Sequence, residues 1–271
     1  MKNLIIRSIA GILYSSLILS AAIYSDLSYI ILIFIFSSIT LYEFQKLIGY
    51  KSPVPFILFS VIIYQFYNQK LNPYLHLSLL AFSISTSIML IFFLFSNKKI
   101  KIKPLQKTAL TLFYPVSSCY FIIATSSLKS NIENGVSISL FIMVWVNNTF
   151  AYIVGKLIGK KNLFPSISPK KTWEGMLGGG LLCFLSSFLL IQFHPGYPKW
   201  TFPLLSLIIV GTSTSGDLIQ SKFKRLALKK DSGILIPGHG GFYDRMDSVL
   251  FSAPFVFFSN YNLSFSRVWI K

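Results

Sequence analysis

Acidic residues are scarce in this chain of 271 residues, which has eight Asp and Glu against 25 Lys and Arg. Charged residues make up only 12% of the sequence and apolar residues 53%, whereas a soluble domain carries about 25% charged residues. So little charge cannot cover a surface that faces water, and the composition therefore excludes an ordinary soluble domain. The chain is predicted to be an all-α, polytopic integral membrane protein.

Cysteine is rarer still, since only Cys119 and Cys183 are present and both lie in apolar segments. Two isolated thiols exclude a disulfide framework and a structural zinc site. The sequence also lacks a Walker-type phosphate loop and the glycine pattern of dinucleotide-binding folds, and no nucleophile and base are arranged for acyl transfer. These absences exclude the common soluble classes of nucleotide-binding and acyl-transfer enzymes.

Long apolar segments are abundant, and a membrane helix needs about 20 mostly apolar residues. Nine membrane helices are predicted, at 4–24, 27–45, 53–68, 73–96, 108–128, 136–155, 174–193, 201–219 and 248–263. The first segment is expected to stay as a membrane helix, because its apolar run is too long for a cleaved signal peptide and no small-residue cleavage pattern follows.

The basic residues are distributed unevenly over the connections between these helices. Connections after even-numbered helices hold 18 Lys and Arg, whereas connections after odd-numbered helices hold three. Short cytoplasmic loops collect Lys and Arg, so the even connections and the N-terminus are predicted to face the cytoplasm. The net charge of +17 is therefore assigned to membrane orientation and contact with anionic lipids rather than to nucleic acid. The expected location is the cell (inner) membrane, with multiple spans.

The chain divides into two parts by residue composition. Residues 1–135 are predicted to form N-terminal transmembrane helices with plain loops, and residues 136–271 to form C-terminal transmembrane helices that carry the chemistry. Five of the eight acidic residues fall between 174 and 247. Those five residues are Glu174, Asp217, Asp231, Asp244 and Asp247.

The segment 216–248 combines carboxylates, cations and a glycine turn. Asp217 ends an apolar helix, and ionisable groups at membrane depth are costly and usually functional. Asp244 and Asp247 are three residues apart and share one helix face. Converging carboxylates can hold Mg²⁺, intervening cations suit phosphate oxygens, and the glycines at 238–241 let the backbone approach a ligand closely. This combination indicates phosphoryl or nucleotidyl transfer, with a solvated loop of incidental ion pairs as the alternative.

The segment 147–175 is a second candidate for anion binding. Thr172 is predicted to cap a helix with Glu174 in its first turn, which places Lys170 and Lys171 near a helix N-terminus, a natural anion site. The alternative is a loop that merely caps a helix.

Small residues recur four apart in the two helices beside this segment, at 155 and 159 and again at 175 and 179. In membranes this spacing predicts closely packed helices.

Both segments resemble the phosphatidate cytidylyltransferase (CDP-diacylglycerol synthase) family. The family signature runs Ser-x-x-Lys-Arg, Lys-Asp-x-Gly, Pro-Gly-His-Gly-Gly and Asp-Arg-x-Asp. Every fixed position is matched here, at 221–225, 230–233, 237–241 and 244–247. The stretch 168–175 is also similar to the family. The resemblance covers roughly residues 145–250 and rests on hydropathy alone over residues 1–140.

The resemblance implies transfer of a cytidylyl group from CTP to phosphatidic acid, which gives CDP-diacylglycerol and pyrophosphate. Family members need Mg²⁺, and K⁺ is a further candidate cation. The implied site is a polar cavity at the cytoplasmic face, where a soluble nucleotide meets a lipid headgroup. A homodimer is suggested by the family and not indicated by the sequence itself.

The resemblance also implies roles for individual residues. Implied catalytic residues are Asp217, Asp244, Asp247, Lys222 and Arg225. Implied metal ligands are Asp217, Asp244 and Asp247, with Asn148 as a further candidate. Implied substrate-binding residues are Ser168, Lys170, Lys171, Thr172, Lys224, Lys230, Asp231, His239, Gly240, Gly241 and Arg245.

Two positions depart from the family pattern and keep alternatives open. Asn148 stands where the family usually has Asp, and Gln220 where it usually has Glu. An amide can bind a metal or a hydrogen-bond partner but carries no charge. The alternatives are a related membrane nucleotidyltransferase with another lipid phosphate, a catalytically weakened family member, or a non-catalytic transporter or scaffold. A transporter would favour polar residues at mid-bilayer, whereas here the polar clusters lie at predicted helix ends.

Overall fold

Helices dominate the computed structural model, which describes residues 2–96, 103–128, 134–233, 235 and 240–268. The helices are α1 (Lys2–Tyr24), α2 (Asp26–Leu47), α3 (Val54–Tyr67), α4 (Pro73–Phe95), α5 (Pro104–Thr111), α6 (Ser117–Ala124), α7 (Gly135–Ile158), α8 (Trp173–Ile191), α9 (Thr201–Leu226) and α10 (Tyr243–Val268). A π-helical turn at Leu112–Val116 joins α5 to α6, and a 3₁₀ turn at Thr125–Ser127 follows α6. Pro115 lies in that π-helical turn, where it removes a backbone donor from the helix ladder.

The prediction of an all-α, polytopic membrane protein is confirmed. Each of the nine predicted segments falls on a helix, with α5 and α6 together forming the fifth. Six helical segments of the described chain are long and apolar enough to cross a membrane, at Asp26–Leu47, Pro73–Phe95, Pro104–Ser127, Gly135–Ile158, Trp173–Ile191 and Thr201–Leu226. Ile9–Tyr24 and Val54–Tyr67 are shorter apolar helices. Large apolar side chains such as Phe92 and Leu177 are mostly exposed on the outside, as expected for surfaces in contact with lipid.

A short hairpin interrupts the helical pattern between α7 and α8. Strands β1 (Asn162–Phe164) and β2 (Ser168–Thr172) pair in antiparallel fashion, with Asn162 opposite Thr172 and Phe164 opposite Ser168. The sequence did not predict these strands. The hairpin holds the Lys170 and Lys171 segment in an extended form directly before α8.

The start of α8 confirms the predicted cap. The Thr172 hydroxyl accepts a hydrogen bond from the Gly175 N–H at 3.1 Å. The Glu174 carboxylate accepts from the backbone N–H groups of Lys160, at 3.0 Å, and Lys161, at 3.2 Å. These bonds tie the end of α7 to the beginning of α8, so the hairpin is held at both of its ends.

Glycines bring α7 and α8 together, which confirms the predicted close packing. A Cβ atom on Gly175 would lie 2.6 Å from the Ala151 carbonyl oxygen and 3.1 Å from Gly155 Cα. A Cβ atom on Gly179 would lie 2.5 Å from the Asn147 carbonyl oxygen. The two backbones therefore touch, as in other membrane helix pairs with small residues four apart.

The connections that follow the even-numbered segments meet at one end of the bundle, here called the loop face. Lys107 Nζ donates to the Gly49 carbonyl oxygen at 2.9 Å, which joins the α2–α3 connection to α5. Ser232, beyond the end of α9, donates to Glu43, near the end of α2, at 2.7 Å. Connections that the sequence assigned to the same side of the membrane are thus in contact.

Candidate active site

A cavity of about 1220 Å³ opens between α1, α7, α9, α10 and the hairpin. Cavities that bind drug-sized ligands usually measure about 300–1,000 Å³, so this one has room for a nucleotide and a lipid headgroup. Its polar lining includes Asn147, Asn148, Thr149, Lys156, Lys170, Lys171, Thr172, Thr214, Asp217, Gln220, Lys224, Asp231, Asp244, Arg245 and Asp247. Its apolar lining includes Ile12, Val144, Trp145 and Met176.

Asp217 and Lys171 form an ion pair at the cavity wall. Lys171 Nζ lies 2.5 Å from Asp217 Oδ2, and Ser221 Oγ donates to Asp217 Oδ1 at 3.3 Å. Lys171 belongs to the strand β2, and Arg225 of α9 ties the same hairpin to that helix through the Ile167 carbonyl. The contact joins the two sequence segments that were singled out separately.

Asp247 lies on α10, which packs against the Asp217-bearing helix α9. Both carboxylates line the same cavity, and the ammonium groups of Lys171 and Lys224 supply opposing charge there. Gly216 permits the close packing of these helices, because a Cβ atom there would lie 2.8 Å from the Asp247 carbonyl oxygen. Two carboxylates beside two ammonium groups form a site that suits a divalent cation together with phosphate.

Asp244 differs, because the protein itself occupies both of its carboxylate oxygens. Oδ1 accepts from Lys224 Nζ at 2.6 Å and from Gln220 Nε2 at 2.9 Å. Oδ2 accepts from the N–H groups of Ser232 and Gly241, both at 2.9 Å. Burial alone would raise the pKa of the Asp244 carboxyl, but Lys224 and these backbone donors outweigh it, so the pKa lies below its ordinary value.

The structure does not gather the three predicted metal ligands into one group. Across the described residues, no cluster of three or more His, Cys, Asp or Glu side chains has the geometry of a metal site. Asp217 and Asp247 line the same cavity wall region, whereas the carboxylate of Asp244 is bonded by Lys224 and by the backbone N–H groups of Ser232 and Gly241. Asp244 as a third metal ligand therefore stays a prediction.

Asn148 takes part in a network of polar side chains next to the carboxylates. Its Oδ1 accepts from Ser213 Oγ at 2.9 Å, and its Nδ2 donates to Ser248 Oγ at 3.0 Å. Ser248 Oγ in turn donates to the Ser213 carbonyl oxygen, at 3.3 Å. A carboxylate at this position could accept from Ser213 but has no hydrogen to donate to Ser248, so the network is built around the amide.

Lys222 and Arg225 are not brought into the cavity, although both were predicted to be catalytic. Lys222 Nζ donates to the carbonyl oxygens of Phe93, Leu94 and Ser96 at the end of α4. Arg225 Nε donates to the Ile167 carbonyl oxygen at 3.3 Å. The last carbonyls of a helix have no partner within the helix and attract cations, so Lys222 caps α4 while Arg225 holds the hairpin.

The predicted substrate-binding residues divide into two groups. Those that line the cavity are Lys170, Lys171, Thr172, Lys224, Asp231 and Arg245. Those that are described but do not line it are Ser168, Lys230, Gly240 and Gly241. Gly240 has a positive φ of 85°, a conformation that glycine adopts without strain. His239 lies outside the described residues.

Two residues that sequence reasoning missed lie at or next to the site. Glu43 of α2 is 2% exposed and accepts from Ser232 Oγ and, at 2.9 Å, from the Tyr243 N–H. Tyr14 of α1 lines the cavity and donates to Met246 Sδ at 3.0 Å. Glu43 could have been found by the argument that singled out Asp217, namely a carboxylate at the end of an apolar helix. Nothing in the apolar surroundings of Tyr14 signals its position.

A comparison with known proteins places the chain in a family. The Cytidylyltransferase family matches residues 5–262, nearly the whole chain. The chain belongs to this family. The match extends through the N-terminal helices, where the residues singled out above gave no motif.

Curated members of the Cytidylyltransferase family resemble the chain over a shorter stretch. A protein named "Phosphatidate cytidylyltransferase" from Haemophilus influenzae is 43% identical over 121 residues, which cover 43% of this chain and 42% of that protein. A protein of the same name from Rickettsia bellii is 40% identical over 142 residues, 49% of this chain and 61% of that protein. One from Mycobacterium leprae is 45% identical over 114 residues, 42% of this chain and 36% of that protein. The chain thus aligns with less than two thirds of the length of these relatives.

Proposed function

We propose that the chain is a phosphatidate cytidylyltransferase, which transfers a cytidylyl group from CTP to phosphatidic acid. One observation carries the proposal, the convergence of Asp217, Asp247, Lys171 and Lys224 on a single cavity. The curated relatives carry the name of this activity. The lipid phosphate oxygen forms a bond to the α-phosphorus of CTP, the bond from that phosphorus to the bridging oxygen breaks, and pyrophosphate leaves.

The residues present fit a Mg²⁺ site with two protein carboxylates. Mg²⁺ usually takes one or two carboxylates and completes its shell with water and substrate phosphates. Asp217 and Asp247 would be those ligands, because their mutual repulsion falls when a cation lies between them. Bound Mg²⁺ would neutralise charge that develops on the pyrophosphate leaving group. K⁺ is a second cation that this acidic pair could attract.

Lys171 and Lys224 would bind phosphate oxygens. Each ammonium is held by a carboxylate, at 2.5 Å for Lys171 with Asp217 and at 2.6 Å for Lys224 with Asp244. Held in this way, the ammonium groups need little ordering when substrate arrives, and ordering costs free energy in binding. Arg245, which also lines the cavity, supplies a third cation for the two substrates.

The loop face would lie in the cytoplasm of the cell, at the inner membrane. The connections that meet at this face are those that follow the even-numbered segments. These connections hold most of the Lys and Arg residues of the chain. A site at this depth lets a soluble nucleotide enter from water while the lipid keeps its acyl chains in the membrane. Because α1, α7, α9, α10 and the hairpin of a single chain enclose the cavity, a homodimer, if it forms, need not complete the site.

A weakened or altered nucleotidyltransferase is the second candidate. The observation that favours it is that Asn148 and Gln220 are both engaged as amides, so the cavity lacks two carboxylates that the family usually has. Fewer negative charges reduce the affinity for divalent cations. This candidate predicts activity only at raised Mg²⁺, or with a different lipid phosphate.

The test is transfer by the purified protein in detergent, with labelled CTP, phosphatidic acid and Mg²⁺. Labelled CDP-diacylglycerol from the natural sequence, and none from Asp247→Asn, is the expected result. Asp26→Asn is the matched control, because Asp26 is exposed in the first turn of α2 and does not line the cavity. No product from folded protein over a range of metals would overturn the proposal, and product only with another lipid phosphate would favour the second candidate.

A further inference from the structure

We propose that Glu43 is a positioning residue for the active site, although it lies in the N-terminal half and does not line the cavity. Its carboxylate binds Ser232 and the first residue of α10, Tyr243, so that Asp244 can present Lys224 to the cavity. The kinetic part of this inference rests on the proposed function. Its structural part, the protection of the backbone amides of Ser232, Gly241 and Tyr243, can be measured without any substrate.

Glu43 holds two points that are eleven residues apart in the chain. Its Oε2 accepts from Ser232 Oγ at 2.7 Å and from the Tyr243 N–H at 2.9 Å. Tyr243 is the first residue of α10, and the first N–H groups of a helix have no partner within the helix. Glu43 therefore caps α10 from a different helix, and its negative charge suits the positive end of the helix dipole.

Two glycines of the loop leave the space that the Glu43 carboxylate fills. A Cβ atom on Gly233 would collide with Glu43 Oε1, and one on Gly241 would collide with Glu43 Oε2. Both glycines belong to the sequence signature, whereas Glu43 lies about 190 residues earlier. The absence of side chains at these two glycines thus makes room for the Glu43 carboxylate, in addition to letting the backbone approach a ligand.

The hydroxyl of Ser232 couples Glu43 to Asp244. Ser232 Oγ lies 2.7 Å from Glu43 Oε2 and 3.0 Å from Asp244 Oδ2. A serine hydroxyl has one hydrogen to donate, so the two carboxylates compete for it. A change at Glu43 therefore alters a hydrogen bond of Asp244 without touching Asp244 itself.

Asp244 carries this effect into the cavity. Its other oxygen accepts from Lys224 Nζ at 2.6 Å, and Lys224 lines the cavity. The path from Glu43 through Ser232 and Asp244 to Lys224 consists of donor–acceptor contacts of 3.0 Å or less, and at Ser232 one hydrogen is shared between the two carboxylates. A small displacement at the far end of such a path can lower a rate by on the order of 100-fold.

The kinetic test compares Glu43→Gln and Glu43→Ala with Thr40→Val. Thr40 lies one turn earlier in α2, is fully buried, and uses its hydroxyl only within its own helix, on the Phe36 carbonyl. We expect kcat to fall at least about tenfold in Glu43→Ala and less in Glu43→Gln, with Thr40→Val unchanged. Combining Glu43→Gln with Ser232→Ala should cost no more than the worse single variant, because both interrupt the same path. If the kcat losses of the two single variants multiply in the double variant, the two residues do not act through one path and the proposal is overturned.

Hydrogen exchange provides a readout that does not require activity. In Glu43→Gln and, if it folds, Glu43→Ala, the amide hydrogens of Ser232, Gly241 and Tyr243 should exchange at least about tenfold faster than in the natural sequence. The exchange rates of amide hydrogens in α7 should not change. Unchanged exchange at these amides would overturn the proposal even if kcat falls. Faster exchange in a protein whose natural sequence makes no CDP-diacylglycerol would support the role of Glu43 and refute the proposed function, so the two failures are distinguishable.

Discussion

The two sides of α9 carry similar residues that contact very different partners. On one side, Asp217, Gln220 and Lys224 line the cavity and bind Lys171 and Asp244. On the other side, the Lys222 ammonium is bound to backbone carbonyls of α4. Lys222 occupies a variable position of the Ser-x-x-Lys-Arg segment and Lys224 a fixed one. Arg225 is also fixed but bonds the Ile167 carbonyl, so membership of the signature alone does not decide which cation lines the cavity.

Helix geometry explains the difference. Lys224 lies seven residues after Asp217, about two turns along, so both side chains point in nearly the same direction. Lys222 lies five residues after Asp217, about 140° around the helix. The comparison teaches that the 3.6-residue period of the α-helix decides which signature side chains face the cavity. The other side chains of the segment bind the helix to its neighbours.

The largest effect is expected for a carboxylate of the cavity pair. Asp247→Asn should lower kcat on the order of 1000-fold, because stabilisation of charge by a metal is worth several kcal/mol. The melting temperature should hold or rise, since the substitution relieves repulsion from Asp217. Steady-state kinetics and thermal unfolding in detergent check this, with Asp26→Asn as control. A large fall in melting temperature would instead give Asp247 a role in folding.

The second-largest effect is expected for a lysine that lines the cavity. Lys224→Met should lower kcat/KM for CTP roughly 10- to 100-fold, because a hydrogen bond to a charged group is worth about 1.5–3 kcal/mol. Initial rates at varied CTP measure the effect. Lys222→Met is the matched control, and equal losses in the two variants would contradict the division of α9 into two sides.

A smaller effect is expected at Asn148. Asn148→Asp should lower kcat about tenfold for two reasons. The hydrogen bond that the Asn148 amide donates to Ser248 Oγ is lost, and a further negative charge is added to the cavity wall that carries Asp217 and Asp247. Rates at several Mg²⁺ concentrations measure it, with the exposed Asn68→Asp as control. Activity that holds or rises would mean that position 148 can still serve the role of the family carboxylate.

The smallest effect on catalysis is expected on the far side of α9. Lys222→Met should leave kcat within about twofold but lower the free energy of unfolding by about 1–3 kcal/mol, since it removes the buried hydrogen bond to the Leu94 carbonyl of α4. Thermal unfolding measures the loss, with the exposed Lys70→Met as control. Reduced turnover at an unchanged melting temperature would instead support the catalytic role first predicted for Lys222.

The family, the helices and most of the charged residues that line the cavity could be predicted from the sequence. Apolar length located every helix, since a membrane span is a local property of about 20 residues. The predicted cap at Thr172 and the close packing at Gly175 are confirmed because they too depend on neighbouring residues. The hairpin of residues 162–172 was missed, because two strands of three and five residues carry little periodic signal.

The sequence by itself determined that this is a multi-helix membrane protein of the Cytidylyltransferase family, and it predicted the segments to which we assign the chemistry. Only the tertiary structure decided that Asp244 is held by the protein while Asp217 and Asp247 line the cavity beside the ammonium groups of Lys171 and Lys224. It alone brought Glu43 from the N-terminal half to the signature loop. The physical reason is that hydropathy and helix period act over neighbouring residues, whereas the partner of a buried charge is chosen by helices packed together from distant parts of the chain.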